Sequence, residues 1–498
     1  MKSEYEELKL HFKKLAQIDH AITFLQWDQL VMMPPGGNTS RANAIAELIT
    51  MHHEQLTAPY VKDLIDGVNQ QQHTPEIARS LKEIERTFNQ AACLPPDLVK
   101  AKSLAGSKCE HGWRTQRGQN DWDGFLGNFN DVVKLAREEA QARQASDPTR
   151  LATPYDALLD LYCTGDSSEL IDGIFKRLKT ELPVLLQQVV EHQPPKIDGP
   201  KPPFHIENQH QLCHELMECL GFNFNNGRLD VSMHPFSTGD LGDQRITTRF
   251  KTTEFLEALL ATAHETGHAS YESGLPNQWH GLPVGQARNM CIHESQSLLF
   301  EKQLFLSKPF LHFFTDKIHQ HLPQTKDYSP ENIWSICSFV EPSFIRVEAD
   351  EVTYPLHIII RFEIEKNLIN GTLDPKDIPE IWDSKMQEYL GLSTGSNHGE
   401  GCLQDIHWTD GSFGYFPSYT MGAINCAQLF STIQSQYPNW DEMLKIGDIE
   451  FVRNWLRKNI WQLGSSLDSQ DIMKKATGKE TSPEYFLNHL RTRYLTIG

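Results

Sequence analysis

The sequence lacks several features that would place it in a particular class of protein. It contains no run of about 18 apolar residues, which is the length that a membrane-spanning helix requires. Residues 1–7 are largely charged and carry no apolar segment of the kind found in secretory signal peptides. We therefore expect a cytoplasmic protein with no membrane partner.

Positively charged residues are outnumbered by negatively charged ones. The chain has 498 residues, with 46 Lys and Arg against 65 Asp and Glu, which gives a formal net charge of −19 at pH 7. A surface this acidic repels the phosphates of nucleic acids and of anionic lipids. The composition therefore argues against nucleic acid or a membrane surface as the main partner, although it does not identify the partner.

The nine cysteines include no Cys-x-x-Cys pair. Without such pairs, a zinc ribbon or a dithiol redox motif has no support. We expect the cysteines to be free, buried thiols in a reducing compartment.

Most of the chain carries the hydrophobic pattern of α-helices. Apolar residues recur at intervals of three and four in residues 5–25, 39–53, 77–91 and 122–143. A proline-rich stretch at residues 194–203 is interpreted as a surface loop, because the motifs described below lie on both sides of any simple division of the chain. We find no internal repeat, and we predict a single domain over residues 1–498.

One region departs from the helical pattern. Residues 228–236 and 245–250 alternate in part and are rich in β-branched and apolar side chains, with a Gly- and Asp-containing connection between them. This pattern predicts a small antiparallel hairpin or sheet. A helix is predicted to follow over residues 253–273 and to end at Gly274 and Pro276.

A His-Glu-x-x-His pattern lies in this helix, at His264, Glu265 and His268. Two histidines four residues apart stand on one helix face, so both imidazoles can reach one tetrahedral Zn²⁺. The glutamate can then point at a water on the metal and act as a general base. The alternative is a histidine pair on a surface helix. Apolar residues in the preceding turns favour a buried helix, where unpaired histidines beside a carboxylate would be costly without a metal.

A catalytic zinc needs a third protein ligand and an open position. The extended pattern with a third histidine fails, because Tyr271 and Gly274 stand where glycine and histidine are required. Glu272 lies two turns from the first histidine, about 12 Å along the axis, which is too far to share one ion with both histidines. Glu294, beyond a turn rich in Gly and Pro, is the better candidate. On the residues alone, it could equally be a solvated glutamate on a helix surface.

Further motifs are distributed along nearly the whole chain. They are Gln26-Trp27-Asp28, Met33-Pro34-Pro35-Gly36-Gly37, His234-Pro235-Phe236, Asp243-Gln-Arg245-Ile-Thr247, His264-Glu265-Thr-Gly-His268, His293-Glu294-Ser-Gln-Ser297, Ile345-Arg346-Val-Glu-Ala349-Asp350, Gly401-Cys-Leu-Gln404-Asp405-Ile-His407-Trp408 and Gly411-Ser-Phe-Gly-Tyr415-Phe-Pro-Ser-Tyr419. In this order they resemble the motifs of the carboxypeptidase Taq family of metallocarboxypeptidases. No motif position departs from the family pattern.

The resemblance implies a mainly α fold, a large helical body in which two helical lobes flank a long active-site groove, like neurolysin and angiotensin-converting enzyme. It implies His264, His268 and Glu294 as the zinc ligands and Glu265 as the general base. It also implies an enzyme that removes single residues from the free C-termini of peptides and forms a homodimer. Co²⁺ or Mn²⁺ could occupy the same ligands, so the sequence leaves the native metal open.

Peptide hydrolysis also requires groups that stabilise an oxyanion. Tyr415, Tyr419 and His407 lie in or near a glycine-rich aromatic stretch. We expect Tyr419 and His407 to donate hydrogen bonds to the tetrahedral intermediate and Tyr415 to contact the substrate. The alternative is that these rings only pack. Asp405 is expected to support the site from behind or to be structural.

The substrate backbone and its terminal carboxylate need partners as well. His234, Arg245 and the backbone of the predicted hairpin could bind the extended substrate as an added strand. Arg346 lies in residues 344–350, which we predict to form an apolar helix with one cation among carboxylates. It is the first candidate for a clamp on the terminal carboxylate, ahead of Arg245. The alternative for Arg346 is an internal salt bridge with Glu348 or Asp350.

Two other functions compete with carboxypeptidase action. An oligopeptidase or a dipeptidyl carboxypeptidase would use the same metal and cleft, and the mass of the products would distinguish it. A metal-stabilised peptide-binding protein would lack turnover. Glu265 argues against this second alternative, because a structural zinc site needs no general base and usually has four protein ligands.

Overall fold

A computed structural model describes residues 3–495 of the chain. The mainly α fold predicted from the sequence is confirmed, since these residues form twenty α-helices, one π-helix at Leu299–Phe305, several short 3-10 turns and three strands. The α-helices are α1 (Glu4–Val31), α2 (Asn38–Leu56), α3 (Pro59–Asn69), α4 (Pro75–Ala92), α5 (Pro96–Gln119), α6 (Trp122–Ser146), α7 (Pro154–Leu159), α8 (Ser168–His192), α9 (Ile206–Cys219), α10 (Leu256–Ser273), α11 (Met290–Leu298), α12 (Lys308–His321), α13 (Pro330–Cys337), α14 (Tyr354–Ile369), α15 (Ile378–Leu390), α16 (Pro417–Gln436), α17 (Trp440–Lys445), α18 (Glu450–Asn459), α19 (Ser469–Thr477) and α20 (Pro483–Leu495).

The four helices predicted from periodicity are present as α1, α2, α4 and α6, and each extends further at one or both ends. The start of α4 shows why. Thr74 caps this helix by accepting a hydrogen bond from the amide of Ile77, and Pro75 takes the first helical position, where no amide donor is needed. Capping residues are polar, so a search for apolar spacing places the boundary too late.

The small sheet differs from the predicted antiparallel hairpin. Its strands are β1 (Gly227–Val231), β2 (Phe236–Asp240) and β3 (Asp243–Thr248), in the order β1-β3-β2. β2 and β3 are antiparallel, but β1 and β3 run parallel, so the sheet is mixed and the prediction was wrong on this point. The segment interpreted as a connection largely forms β2. Because the chain reverses once before β2 and again after it, β3 returns in the direction of β1.

Two of the predicted boundaries in this region are confirmed. α10 follows the sheet and ends at Ser273 with Gly274 as its C-cap, as predicted, but it begins three residues later than predicted. The proline-rich stretch forms an irregular connection between α8 and α9, without helix or strand.

Residues 344–350 do not form the predicted helix: only a single 3-10 turn occurs there, at Arg346–Glu348. The amide of Arg346 instead donates to the side chain of Gln404, which holds this segment in an irregular path.

The apolar side chains form two large hydrophobic cores and a smaller one. The first core lies mainly among α6, α8, α14 and α15, and the second among α9, α10, α12 and α18. α11 and α16 supply residues to both cores, with Cys291 of α11 in the first and Ile292 in the second. The third core joins α1, α3 and α4. α11, which carries Glu294, is therefore held by packing into both large cores.

The remaining expectations concern membrane helices, cysteines and the domain organisation of the chain. None of the helices in residues 3–495 is both long and apolar enough to cross a lipid bilayer. All nine cysteines are free in the structure, and six of them are buried. The single domain over residues 1–498, the two lobes with a groove and the likeness to neurolysin and angiotensin-converting enzyme stay predictions.

Candidate metal centre

The structure brings the three predicted metal ligands together. His264 and His268 lie one turn apart on α10, and Glu294 lies on α11, which packs against α10. The Oε2 atom of Glu294 is 3.6 Å from Nε2 of His264 and 3.5 Å from Nε2 of His268. One ligand atom from each residue falls within 4.8 Å of the others. The helix is buried around them, as the sequence predicted.

This donor set fits a divalent metal ion. Ligand atoms at about 2.0–2.2 Å from a tetrahedral ion lie roughly 3.4 Å from one another, close to the separations between Glu294 and the two imidazoles. Burial alone would lower the pKa of His264, but Glu294 and Glu301 outweigh it and raise that pKa to about 10. The surroundings therefore favour positive charge at this place, which a bound cation would supply.

Two glycines allow the three helices of the site to approach closely. A Cβ atom on Gly267, inside the His-Glu-x-x-His motif, would lie 2.5 Å from the carbonyl oxygen of Gln296 on α11. A Cβ atom on Gly422 of α16 would lie 2.6 Å from Cγ of Glu294. Both separations are far below van der Waals contact, so any larger residue would push α11 away. The two positions fix the distance between the histidine pair and the glutamate.

Glu301 is a member of the site that the sequence analysis missed. Its Oε2 atom lies 2.9 Å from Nδ1 of His264, on the side of the ring away from Glu294. Lys302 holds the other oxygen at 2.7 Å. Burial would raise the pKa of Glu301, but Lys302 and His264 lower it to about 2, so the carboxylate is charged. It can therefore fix the ring and its tautomer so that Nε2 faces the metal.

The π-helix at Leu299–Phe305 carries Glu301 and Lys302. Such a widened turn is uncommon and is frequently found at functional sites. Periodicity in the sequence gave no sign of it, because the hydrogen-bond pattern of a π-turn leaves no simple trace in apolar spacing. The only sequence feature that points to Glu301 is its position two turns after Glu294, a candidate metal ligand.

His268 is supported through a second histidine. Nδ1 of His293 lies 2.5 Å from Nδ1 of His268, and Nε2 of His293 lies 2.7 Å from Glu272. The sequence analysis rejected Glu272 as a direct ligand because of its distance from the first histidine. In the structure this glutamate instead contacts His293 and orients its ring, which lies behind His268. His293 precedes Glu294 in its motif, and that position was the signal for its role.

Glu265 is buried beside the ligands. Burial, together with the nearby charge of Glu294, raises its pKa to about 7, although His264 acts in the opposite direction. Its side chain forms no hydrogen bond with another residue in the part of the chain that the structure describes. Its carboxylate is therefore free to exchange a proton near neutral pH.

Tyr419 lines a cavity next to the metal ligands, and His407 lies next to this tyrosine. A cavity of about 240 Å³ is lined by His264, Glu294 and Tyr419, so the tyrosine shares one space with two of the metal ligands. The phenol oxygen of Tyr419 lies 3.5 Å from Nε2 of His407. Burial, together with Arg346, lowers the pKa of His407 to about 4, so this imidazole is neutral at physiological pH. Tyr415 packs edge-on against Tyr419, with the ring centroids 5.3 Å apart.

Arg346 is buried in an ion pair, but not with the partners considered from the sequence. Nε and Nη2 donate to one oxygen of Asp405 at 3.0 and 2.8 Å, and Arg361 binds the other oxygen. The predicted pairing with Glu348 or Asp350 is absent among residues 3–495, because residues 344–350 do not form a helix. Two guanidinium groups share one carboxylate, which leaves an excess of positive charge behind the cavity.

His234 and Arg245 belong to the small sheet, whose strands β2 and β3 pack against α10. His234 is exposed in the turn between β1 and β2. Arg245 of β3 pairs with Asp243, and its guanidinium lies 4.6 Å from the ring centroid of Trp27 on α1. Neither residue lines the 240 Å³ cavity. Their place in substrate binding stays a prediction.

Known proteins resemble this chain over its whole length. A family model described as carboxypeptidase Taq (M32) metallopeptidase matches residues 7–494. Thermostable carboxypeptidase 1 of Pyrococcus furiosus is 32% identical over 98% of this chain and 98% of its own length. Carboxypeptidase 1 of Bacillus subtilis is 33% identical over 97% of both. The structure of Trypanosoma cruzi metallocarboxypeptidase 1 is 36% identical and aligns with a TM-score of 0.95 over 99% of each chain.

These comparisons confirm the resemblance that the separated motifs indicated. The match covers both hydrophobic cores and the helices that carry the metal centre. The relatives are named carboxypeptidases, and the cluster of His264, His268 and Glu294 offers the metal site that such an enzyme needs. The chain therefore belongs to the carboxypeptidase Taq (M32) family and is a metallocarboxypeptidase, a hydrolase of peptides.

Proposed function

We propose that this enzyme is zinc-dependent and releases one amino acid at a time from the free C-termini of peptides. The observation that carries the proposal is the cluster of two half-buried imidazoles and one buried carboxylate with Glu265 beside it. Three protein ligands of the nitrogen and oxygen type suit a catalytic zinc and leave a coordination position open. When bound, the ion polarises the scissile carbonyl and lowers the pKa of a water. Co²⁺ and Mn²⁺ are expected to substitute in the same ligands.

Glu265 acts as the general base in this proposal. It accepts a proton from the attacking water and later delivers it to the nitrogen of the leaving amino acid. Burial raises the pKa of Glu265 to about 7 in the protein without a metal, and this raised basicity favours uptake of a proton from the water. Its burial keeps bulk water from competing for that proton.

Tyr419 and His407 stabilise the oxyanion that forms as the carbonyl is attacked. Tyr419 shares the cavity with two metal ligands, and the neutral imidazole of His407 stands behind it. Burial raises the pKa of Tyr419 well above its usual range, so the phenol keeps its proton and can donate it in a hydrogen bond. Tyr415 packs against this ring and contacts the substrate.

Positive charge behind the cavity accounts for action at the C-terminus. Arg346 and Arg361 together carry one more charge than Asp405 neutralises, and both arginines are buried. This local excess attracts the terminal carboxylate in a protein that is acidic overall. His234, Arg245 and the sheet edge bind the residues before the cleaved bond.

One digestion tests the proposal. A peptide of about ten residues is incubated with the zinc-loaded enzyme in two forms, with a free C-terminal acid and with a C-terminal amide. We expect a ladder of masses that differ by single residues from the acid and little cleavage of the amide. Losses of two residues would indicate a dipeptidyl carboxypeptidase, and internal fragments an oligopeptidase. Tight binding without any product would indicate a peptide-binding protein.

We further propose that the enzyme is a homodimer in the cytoplasm. The free cysteines support a reducing compartment, and the family resemblance supports the dimer. Light scattering of the purified protein tests the second point, with a mass of about twice 57.0 kDa expected. A mass of a single chain at micromolar concentration would contradict it.

A further inference from the structure

The cavity beside the metal ligands contains a phenol that neither the motifs nor the roles above assign. Tyr354, the first residue of α14, lines this space together with His264, Glu294 and Tyr419. Its ring stands edge-on to that of Tyr419, with centroids 6.0 Å apart. Two tyrosines thus face the same cavity from one wall.

The hydrogen bonds of Tyr354 determine where its proton points. Nη1 of Arg346 donates to the phenol oxygen of Tyr354 at 2.7 Å. A guanidinium can only donate, so the tyrosine is the acceptor in this bond and its own O–H remains available. Within residues 3–495, that O–H meets no hydrogen-bond acceptor. Because the side chain borders the cavity, the unused donor is available to a molecule bound there.

Arg346 itself is poorly placed to touch a substrate. All three of its guanidinium nitrogens donate within the protein, two of them to Asp405 and one to Tyr354. The residue is only 5% exposed. Its positive charge therefore reaches the cavity through the phenol, because a donor that accepts a hydrogen bond from a cation is polarised and donates more strongly.

The acidic residues on the cavity wall have other partners within the protein. Glu301 is paired with Lys302 at 2.7 Å. Glu351 is held by His489 and Arg493, both at 2.9 Å. Asp350 accepts hydrogen bonds from the amides of Val352 and Thr353. These three carboxylates thus already have partners, and the fourth on the wall, Glu294, is a candidate metal ligand, while Tyr354 offers a free donor backed by a cation.

We propose that the O–H of Tyr354 donates directly to the terminal carboxylate of the peptide, and that Arg346 acts through this tyrosine as a positioning residue. The side chain of the released amino acid then occupies the apolar part of the same cavity, between Leu298, Val347 and Phe486. This assignment rests on the proposed exopeptidase function and names the residue that recognises the free C-terminal carboxylate.

The test measures binding without turnover. In a zinc-loaded Glu265→Gln background, calorimetry gives the dissociation constants of one short peptide as its free acid and as its C-terminal amide. Adding Tyr354→Phe should reduce the preference for the acid by about 10- to 100-fold, the range expected for a hydrogen bond to a charged group. The phenyl ring keeps the contact with Tyr419, and zinc content and circular dichroism confirm an intact site.

Tyr389→Phe is the matched control. Its phenol donates to Glu363 at 2.9 Å, and neither residue lines the cavity. We expect it to leave the acid preference unchanged. Arg346→Gln should reduce the preference as Tyr354→Phe does, and the double variant should lose little more, because both act through one hydrogen bond.

Two results would overturn the assignment in different ways. If the background variant prefers the acid and Tyr354→Phe retains that preference, the tyrosine does not contact the carboxylate, while the exopeptidase function stands. A large loss in Arg346→Gln alone would then show that the guanidinium binds directly. If the background variant binds acid and amide equally, the proposed exopeptidase function fails and the role of Tyr354 fails with it.

Discussion

Replacement of Glu301 by glutamine tests whether the metal centre depends on a residue that does not touch the metal. Glu301 accepts a hydrogen bond from Nδ1 of His264 at 2.9 Å, and its pKa of about 2 means that it carries a full charge. Glutamine keeps the length and one oxygen acceptor but removes the charge. The His264 ring becomes a weaker ligand, because its outer N–H then faces a neutral amide.

The size of the effect follows from this geometry. Loss of a carboxylate behind a metal-binding histidine costs about 10- to 100-fold in metal affinity. Each factor of ten corresponds to about 1.4 kcal/mol, so the expected change is about 1.4–2.8 kcal/mol. We expect the upper part of this range, because Glu301 is buried and little water is available to replace its lost charge.

Competition with a fluorescent zinc chelator measures the dissociation constant directly. Glu363→Gln is the control, since Glu363 is a partly buried carboxylate that pairs with Lys179 at 2.7 Å away from the site. Thermal unfolding of both metal-free variants separates lost stability from lost metal affinity. If Glu301→Gln binds zinc as tightly as the parent, or no more weakly than the control, the carboxylate does not support the metal and the reasoning is refuted.

Four further predictions concern the residues of the centre itself. His264→Ala should lose zinc and peptidase activity together, and full zinc occupancy by atomic absorption would remove this residue from the ligand set. Glu265→Gln should retain zinc while kcat falls by about 10²–10⁴ or more, so normal turnover would assign the base elsewhere. Tyr419→Phe should lower kcat at nearly constant KM, whereas an effect on KM alone would indicate substrate binding. Gly422→Ala should displace Glu294, because the new Cβ would lie 2.6 Å from its Cγ, and weakened zinc binding in calorimetry is the expected result.

Much of the fold and the centre could be predicted because the signals are local or follow a fixed pattern. The spacing of His264 and His268 places both rings on one face of α10 by helical geometry alone. The third predicted ligand came from a motif rather than from geometry, since spacing left Glu294 undecided. The sequence pattern predicts the sheet only in part, because it assigns the turn at Leu241 and Gly242 to a longer connection, which hides β2 and reverses the direction expected for β1.

The contacts that the sequence did not indicate join residues from separate elements. Glu272 could be judged only by its distance from the first histidine, and that argument excluded it as a ligand without suggesting His293 as its partner. Arg346 was assigned neighbours from its own segment, yet its carboxylate partner is Asp405, 59 residues later. Such pairings depend on how helices pack, and apolar periodicity carries no information about them.

The net charge of the whole protein and the charge buried near its cavity affect ligand binding in different ways. The formal net charge of −19 is spread over a solvated surface, where salt screens it within about 10 Å, so it bears on which polyanions are repelled. The excess positive charge of Arg346 and Arg361 over Asp405 lies in a buried region, where the effective dielectric constant is lower and each charge acts more strongly. An acidic protein can therefore hold a local excess of positive charge next to its cavity, where Arg346 contacts the cavity residue Tyr354, and the proposed binding of an anionic C-terminus requires such an excess.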